Sequence, residues 1–330
     1  VKPDRVLAGE LEIRPYRLRL AQPLRTARGS TEFREGFVVL AHQGGYTGRG
    51  EAAPLPELGT ETLAECLQEL RAASLDAPPR TPAARCAVEQ AFLDLVSQRE
   101  GIPLARLLDP GAVLEVPASA LLAAQGMPEL ARETRRALDE GFRTLKLKVG
   151  LDDDFARAAV VRDAAGPSVN LRLDANGAWS FAEAVRRLRE LAPLGIELCE
   201  QPTEDLAGLR EASPVPIAAD ELVARDPEAA LARAHAIVLK PMLLGGLLPA
   251  LRLGRRAREL GLQVIVTSSL EGAIGRAGAA HLAAALLALG PQPAAGLATG
   301  RLLADDLCPD ALAPRRGVIY LLESAGLGLS

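Results

Sequence analysis

Three acidic residues each close a short apolar run: Asp174 in LRLDAN, Glu200 in IELCEQP and Asp220 in PIAADE. Two lysines, Lys146 and Lys148, precede them in RTLKLKVG, and Lys240 follows them in AIVLKP. A lone carboxylate or ammonium at the end of a buried strand costs several kcal/mol unless it is paired or bound to a metal. Five successive runs ending this way, with cations at both flanks and anions between, describe a site. Three carboxylates without sulfur or imidazole favour a hard, oxygen-seeking cation in octahedral geometry, Mg²⁺ first and Mn²⁺ as a substitute. Such a cation suits a substrate carboxylate whose α-carbon is to lose a proton, because it stabilises charge that appears only near the transition state. The base must be neutral when it acts. A free lysine titrates near pH 10.4, so a catalytic one has to be lowered toward about 7–8 by burial and neighbouring cations. Lys148 has Lys146 two residues away on the same strand face, and period-2 geometry points both into one interior. Lys240 is expected from the opposite wall, as a cation facing the intermediate.

The elements that must hold these groups follow from their spacing. From Lys148 through Asp174, Glu200 and Asp220 to Lys240 the steps are roughly 20–26 residues, about one strand–helix unit of a β/α barrel. Helical periodicity fills the gaps, over Phe155–Ala165, Phe181–Leu191, Pro227–Ala234 and Leu247–Leu260, with Ser180 placed to cap the second. In such barrels the chemistry sits at the C-terminal strand ends, where these five residues fall. A doubly wound sheet also exposes strand ends, but does not gather five successive ones into a ring. A barrel of about 200–250 residues plus an added module accounts for the 330-residue length. The predicted organisation is an α+β capping domain over 1–110, a β/α barrel over 111–304 whose first strand is Val113–Ala118, and a segment 305–330 returning to the cap.

In the first third, Leu11–Leu20 and Gly36–Ala41 alternate as strands, and GGYTGRGE reads as a hairpin turn feeding a third. That stretch lacks the Gly-Lys-Ser/Thr ending of a phosphate loop. Helical period follows over Glu61–Ala73 and Pro82–Arg99. A net charge of −4 and 3% aromatic residues exclude a nucleic-acid surface, which needs basic stripes and stacking platforms. The four cysteines (Cys66, Cys86, Cys199, Cys308) form no C-x-x-C pair and read as reduced, buried small hydrophobes of a cytoplasmic protein. The apolar stretch Ala279–Leu289 is interrupted by His281 and too short to span a bilayer, so no membrane partner is expected. The expected partner is a small-molecule carboxylate, for a monomer or homo-oligomer.

K-x-K, D-x-N, E-Q-P, A-D-E and L-K-P, in this order and at this spacing, resemble the enolase superfamily over nearly the whole chain. The resemblance implies a modified (β/α)8 barrel, of (β/α)7β type, with an α+β capping domain. It also implies metal carboxylates on the third to fifth strands and lysines on the second and sixth. The sixth-strand Lys240 is similar to the muconate-lactonizing subgroup; His42, His235 and His281 match no His–Asp second base. GRGEAAPLPELGTETLAE, TSSLEGAIG and GLATGRLLADDL look most like the o-succinylbenzoate synthases of menaquinone biosynthesis. That resemblance implies Lys148, Lys240 and Lys146 as the catalytic set and dehydration of 2-succinyl-6-hydroxy-2,4-cyclohexadiene-1-carboxylate. An N-acylamino acid racemase or dipeptide epimerase, with the two lysines on opposite faces, is the alternative. Muconate cycloisomerase is a third, and a barrel that binds metal or ligand without catalysis a fourth. Asn176 and Glu221 are expected to orient the carboxylates, Ser268 and Ser269 to hydrogen-bond a substrate carboxylate, and Arg28 to lie in the loop that closes over the site. The bland alternatives are a structural ion-pair cluster, turn residues and an exposed loop arginine.

Overall fold

The computed structural model describes residues 10–26, 29–74, 77–151, 153–309 and 312–329. The chain opens with an antiparallel meander, β1 (Glu10–Thr26), β2 (Gly29–Gln43) and β3 (Tyr46–Ala52). Gly44 and Gly45 join the last two with φ of +58° and +83°, the paired positive values of a type I′ turn. Two helices, α1 (Leu63–Ala72) and α2 (Pro82–Glu100), cover one face and bury Phe37, Val39 and Ala41 against Cys66, Leu70, Ala87 and Leu95. The glycines of the GRG run serve this packing. A Cβ on Gly48 or Gly50 would fall 1.9 Å from the carbonyl oxygen of Ala91 or Ala87, so α2 can lie directly on β3 only because both are glycine.

After α3 (Leu104–Leu108) comes β4 (Glu115–Pro117), and then seven parallel strands alternate with helices. The strands are β5 (Ala120–Leu122), β6 (Thr144–Lys148), β7 (Asn170–Asp174), β8 (Ile196–Glu200), β9 (Ile217–Ala219), β10 (Ala236–Leu239) and β11 (Gln263–Val266), neighbours in that order. The helices between them include α4 (Met127–Asp139), α5 (Asp154–Ala165), α6 (Phe181–Leu191), α7 (Leu209–Ala212), α8 (Glu221–Arg225), α9 (Pro227–Arg233), α10 (Pro241–Leu244) and α11 (Leu247–Glu259). Beyond β11 lies α12 (Ala273–Leu287). The ring closes through a short extended stretch in which Ala295 bridges Ala118 and Gly296 bridges Thr267, both parallel. The architecture is the modified β/α barrel with a capping domain that the sequence predicts.

Side-chain alternation separates two layers. Leu198, Ala218, Ala236, Val238 and Ile265 form an interior plug under the mouth. Leu145, Leu147, Leu171, Leu173, Cys199 and Ile217 face the helices. A charged residue shares the interior with this plug: Arg172, 1% exposed, pairs with Glu197 at 2.6 Å and donates to the Ala294 carbonyl at 2.7 Å. Glu197 is the residue skipped where the β7–β8 register shifts, so the bulge supplies the counter-charge. Ser180 caps α6 in a reciprocal box with Glu183.

One strand differs from expectation. The first barrel strand is not Val113–Ala118: Glu115–Pro117 of that run pairs antiparallel with β12 (Val318–Tyr320), and the barrel begins at Ala118–Leu122. Both halves are short and similar in composition, so their opposite pairings leave no trace in local pattern. The C-terminal stretch also meets the cap: Ala304 N–H donates to the Arg19 carbonyl at 2.8 Å, and Leu327 N–H to Asp94 at 2.8 Å. Among the described residues no helix is long and apolar enough to cross a membrane.

His281 on α12 locks this wrap. Its Nδ1 accepts from the Ala105 N–H at 3.0 Å, so its Nε2 carries the proton and donates to the Leu327 carbonyl at 3.2 Å. Burial pulls its pKa down to about 4. A histidine depressed from about 6.5 contributes stability that is present above pH 6.5 and lost as pH falls toward 4. Between pH 7.5 and 4.5 the wild type is expected to lose about 2–3 kcal/mol more than His281→Gln, whose amide keeps both bonds without titrating. Urea midpoints at the two pH values measure this; equal losses in both proteins would refute it.

Candidate active site

The five strand-end residues stand on consecutive strands. Lys148 and Asp174 are register partners, as are Asp174 and Glu200, while Asp220 and Lys240 follow directly on β9 and β10. Lys146, Asp174, Glu200, Asp220 and Lys240 are drawn together. The Lys146 ammonium lies 3.0 Å from Asp174 Oδ2 and also donates to Glu200 Oε2. The Lys240 ammonium lies 2.7 Å from both Asp220 oxygens. Lys148 is exposed at the mouth and forms no ion pair among the described residues. The residues after it are hydrogen-bonded: Val149 N–H donates to the Asp174 carbonyl at 2.8 Å, and Asp154 accepts from the Gly150 and Leu151 amides and from Arg187.

The charges act on one another strongly. Burial raises Glu200, and the neighbouring Asp174 and Asp220 add to the rise against the opposing pull of Lys146. Burial also disfavours ionised Asp174, but Lys146, with Lys240 and Lys148, outweighs it and holds this carboxyl below its usual range. Lys146 and Lys240 are pushed up: burial opposes their charge, and the adjoining carboxylates overcome it. Glu221 is raised by burial and by Asp220. The pairing of Lys146 and Lys240 is what a structural ion-pair cluster would show. Such a cluster does not account for Lys148, left unpaired beside an acid-rich ring.

The donor set is three carboxylates, the chemistry of a hard divalent cation. Asp174 and Glu200 already converge on one ammonium, a cation-sized point between them. Asp220 is turned to Lys240, and among the described residues no three acidic, cysteine or histidine side chains are gathered at metal-binding geometry. The residues therefore fit such a cation in donor type and in the convergence of two carboxylates. Asp220, the third carboxylate, is paired with Lys240.

The supporting residues sort as follows. Asn176, at φ +45° where asparagine is among the tolerated types, donates its backbone N–H to Asp174 at 3.2 Å and its amide to Glu221 at 3.1 Å. Ser268 and Ser269 are buried just past β11; the Ser268 hydroxyl lies 2.7 Å from that of Thr299, and the Ser269 N–H donates to Glu271 at 2.6 Å. Arg28 lies outside the described residues. Cys199 is core, on the helix-facing side of β8. Gln201 escaped sequence reasoning. Its carbonyl oxygen accepts from the Asp220 and Leu222 amides at 3.0 and 3.3 Å, and its Nε2 donates to the Thr203 carbonyl at 2.9 Å. It fixes where Asp220 leaves β9. A buried amide between Glu200 and Pro202 at a strand end was the available signal.

Comparison with known proteins agrees with this geometry. Residues 129–330 match the family described as enolase C-terminal domain-like, and residues 10–78 match the MenC N-terminal domain. The chain is 42% identical over 216 residues to an o-succinylbenzoate synthase of Thermobifida fusca, covering 62% of this chain and 66% of that protein, slightly under two thirds of its length. It is 33% identical over 306 residues to an L-Ala-D/L-Glu epimerase of Bacillus subtilis, covering 80% and 81%. The crystal structure of a dipeptide epimerase from Enterococcus faecalis superposes with a TM-score of 0.88 at 28% identity, over 98% of this chain and 99% of that one. Fold, strand-end charges and these matches agree, and the chain belongs to the enolase superfamily.

Proposed function

We propose that the chain is an o-succinylbenzoate synthase, a hydro-lyase that removes water from 2-succinyl-6-hydroxy-2,4-cyclohexadiene-1-carboxylate. The observation that carries this choice lies past β11 and past the closing stretch, where the sequence reads TSSLEGAIGRAG and GLATGRLL and shows no Asp-x-Asp of the kind that would hold a dipeptide's ammonium. The described acids in these loops are engaged by the protein itself. Glu271 takes the Ser269 amide, Asp305 the Arg19 amide, and Asp306 the Arg276 guanidinium with the Ala273 and Leu307 amides. Ser268 and Thr299, whose hydroxyls lie 2.7 Å apart, and Ser269, whose buried hydroxyl has no hydrogen-bond partner among the described residues, are assigned instead as hydrogen-bond partners for a carboxylate. The relative from Thermobifida fusca and the match of the cap to the MenC N-terminal domain support the same reading.

In this mechanism neutral Lys148 removes the α-proton from the substrate, and the C–H electron pair moves into the carboxylate. The same ammonium then protonates the departing hydroxide as the C–O bond breaks, releasing water and leaving the aromatic ring. Lys240 stays protonated on the other wall, facing the intermediate, and Lys146 keeps Asp174 and Glu200 in place. A divalent cation on Asp174, Glu200 and Asp220, Mg²⁺ or Mn²⁺, supplies stabilisation of the negative charge growing on the substrate carboxylate. Asn176 and Glu221 orient that acidic set.

A second reading has specific support: the Bacillus subtilis relative and the Enterococcus faecalis structure are epimerases that match most of the chain. Lys148 and Lys240 would then act as two bases exchanging one α-proton in an N-acylamino acid or dipeptide. Purified protein with Mg²⁺ in D₂O, given in turn the cyclohexadiene carboxylate and an N-succinylamino acid, separates the two. Dehydration is expected to dominate. Rapid α-proton exchange with racemisation and negligible dehydration would replace the synthase reading by the racemase one.

A further inference from the structure

The turn from β11 into α12 carries Ser268 and Ser269 and is under backbone strain. Leu270 sits at φ +61°, a left-handed conformation that is unfavourable for a non-glycine residue. The barrel holds the turn through Arg276, which donates to the Glu271 carbonyl at 2.9 Å, and Asp306, which takes the Ala273 amide at 2.7 Å; the capping domain adds a second set of restraints. Arg34 on β2, 6% exposed, donates through Nε to the Leu270 carbonyl at 3.2 Å. The same guanidinium is anchored by the Pro54 carbonyl at 2.8 Å and by the Ala53 carbonyl. Glu51, at the end of the GRGE run and fully buried, accepts from the Gly272 and Gly275 amides at 2.6 and 2.7 Å and from the Tyr16 hydroxyl at 2.7 Å. Glu271, buried in the turn itself, lies in the field of Arg34 and takes the Ser269 amide.

Two buried carboxylates and one buried guanidinium are an expensive way to hold two domains together, since apolar side chains of the same volume would do so at lower cost. What the network adds is direction. Each of the bonds that Arg34 and Glu51 send across from the cap ends on a backbone group of one six-residue stretch, 270–275, and Glu271 within it takes the Ser269 amide. The strands bearing Lys148 and Lys240 are untouched by it.

We propose that Arg34 and Glu51 are positioning residues: from the capping domain they set the conformation of the turn that presents Ser268 and Ser269 to the substrate. The proposal rests on reading those serines as substrate contacts. It makes the cap part of substrate binding and leaves proton transfer to the barrel. Loss of either residue then weakens binding of substrate and transition state alike, which raises KM and spares kcat.

The test uses the full chain with Glu51→Gln, Arg34→Ala, Arg34→Lys and Tyr16→Phe. Amides over 268–276 are expected to exchange with deuterium about tenfold faster or more in Glu51→Gln and Arg34→Ala, from loss of charge-assisted hydrogen bonds. Those of β6 and β10 keep their wild-type rates. KM should rise about tenfold while kcat stays within about threefold. Arg34→Lys should recover part of the Arg34→Ala loss, and Tyr16→Phe, which removes one bond to Glu51, should shift both readouts less in the same direction. Unchanged exchange over the turn, equal acceleration in β6 and β10, or a loss confined to kcat would overturn the proposal. A wild type that neither dehydrates nor exchanges an α-proton would end the synthase reading, while the deuterium pattern would still decide whether the cap sets the turn.

Discussion

Lys148→Arg is expected to abolish dehydration, while Lys240→Arg keeps measurably more of it than Lys240→Ala. Arginine keeps its charge and cannot be deprotonated in a protein, so it separates a lysine that must shed a proton from one that need only remain a cation. Lys148 stands exposed at the mouth without an ion pair among the described residues, so a guanidinium fits there and the loss reads chemistry more than packing. Loss of general acid–base catalysis alone is worth about 10²–10⁴ in rate, and here base and acid are the same group. Lys240 lies 2.7 Å from both oxygens of Asp220 and donates to Oδ2, and a guanidinium can engage both in bidentate form. Its larger size in a buried place will take some activity, which is why Lys240→Ala is the reference. For any racemase side activity the two arginine variants should be equally dead, because each lysine must then act as a base in one direction. Single-turnover dehydration, with α-proton exchange followed by NMR, reads both. If Lys148→Arg retains turnover while Lys240→Arg has none, the assignment of the base is reversed.

The acids and lysines were legible because each lies where an apolar, β-branched run meets a turn, and because one strand–helix unit separates each from the next. Burial energetics then made a chance arrangement implausible. The closing stretch of the barrel was not legible. Ala294–Ala295–Gly296–Leu297 has no strand propensity, and its pairing is imposed by ring closure from Ala118 on one side and Thr267 on the other. The β4–β5 division failed for a related reason: antiparallel and parallel partners are chosen by tertiary position, which five residues of local pattern do not encode. Gln201 and the Arg34–Glu51 network were missed because their bonds join positions far apart in the chain, Glu51 with Gly272 among them. GRGE was noticed as a motif. Its glycines turn out to admit α2, and its glutamate to reach the barrel.

Chelation by EDTA is expected to abolish turnover, and Mg²⁺, or Mn²⁺ in its place, to restore it. Asp174→Ala, Glu200→Ala and Asp220→Ala should each lower the rate about a thousandfold or more, since in the proposed mechanism these carboxylates would hold the cation that meets the developing charge. Stability gives an independent readout. A ligand at a hundred times its Kd stabilises the folded state by about 2.7 kcal/mol, so the wild-type Tm should rise with Mg²⁺ and the variants' should not. Without metal the amide isosteres should diverge. Asp174 is held charged by Lys146, with Lys240 and Lys148 adding to the effect, so Asp174→Asn should lower the Tm in EDTA. Glu200 is buried between Asp174 and Asp220 and shares its one lysine, so its charge works against the fold. Glu200→Gln removes that repulsion and can still accept from Lys146, so its Tm in EDTA should equal or exceed that of the wild type. Full activity after exhaustive chelation would remove the cation from the mechanism. An undiminished Mg²⁺ shift in all three alanine variants would place the cation elsewhere and return these carboxylates to the role of ion-pair partners for Lys146 and Lys240.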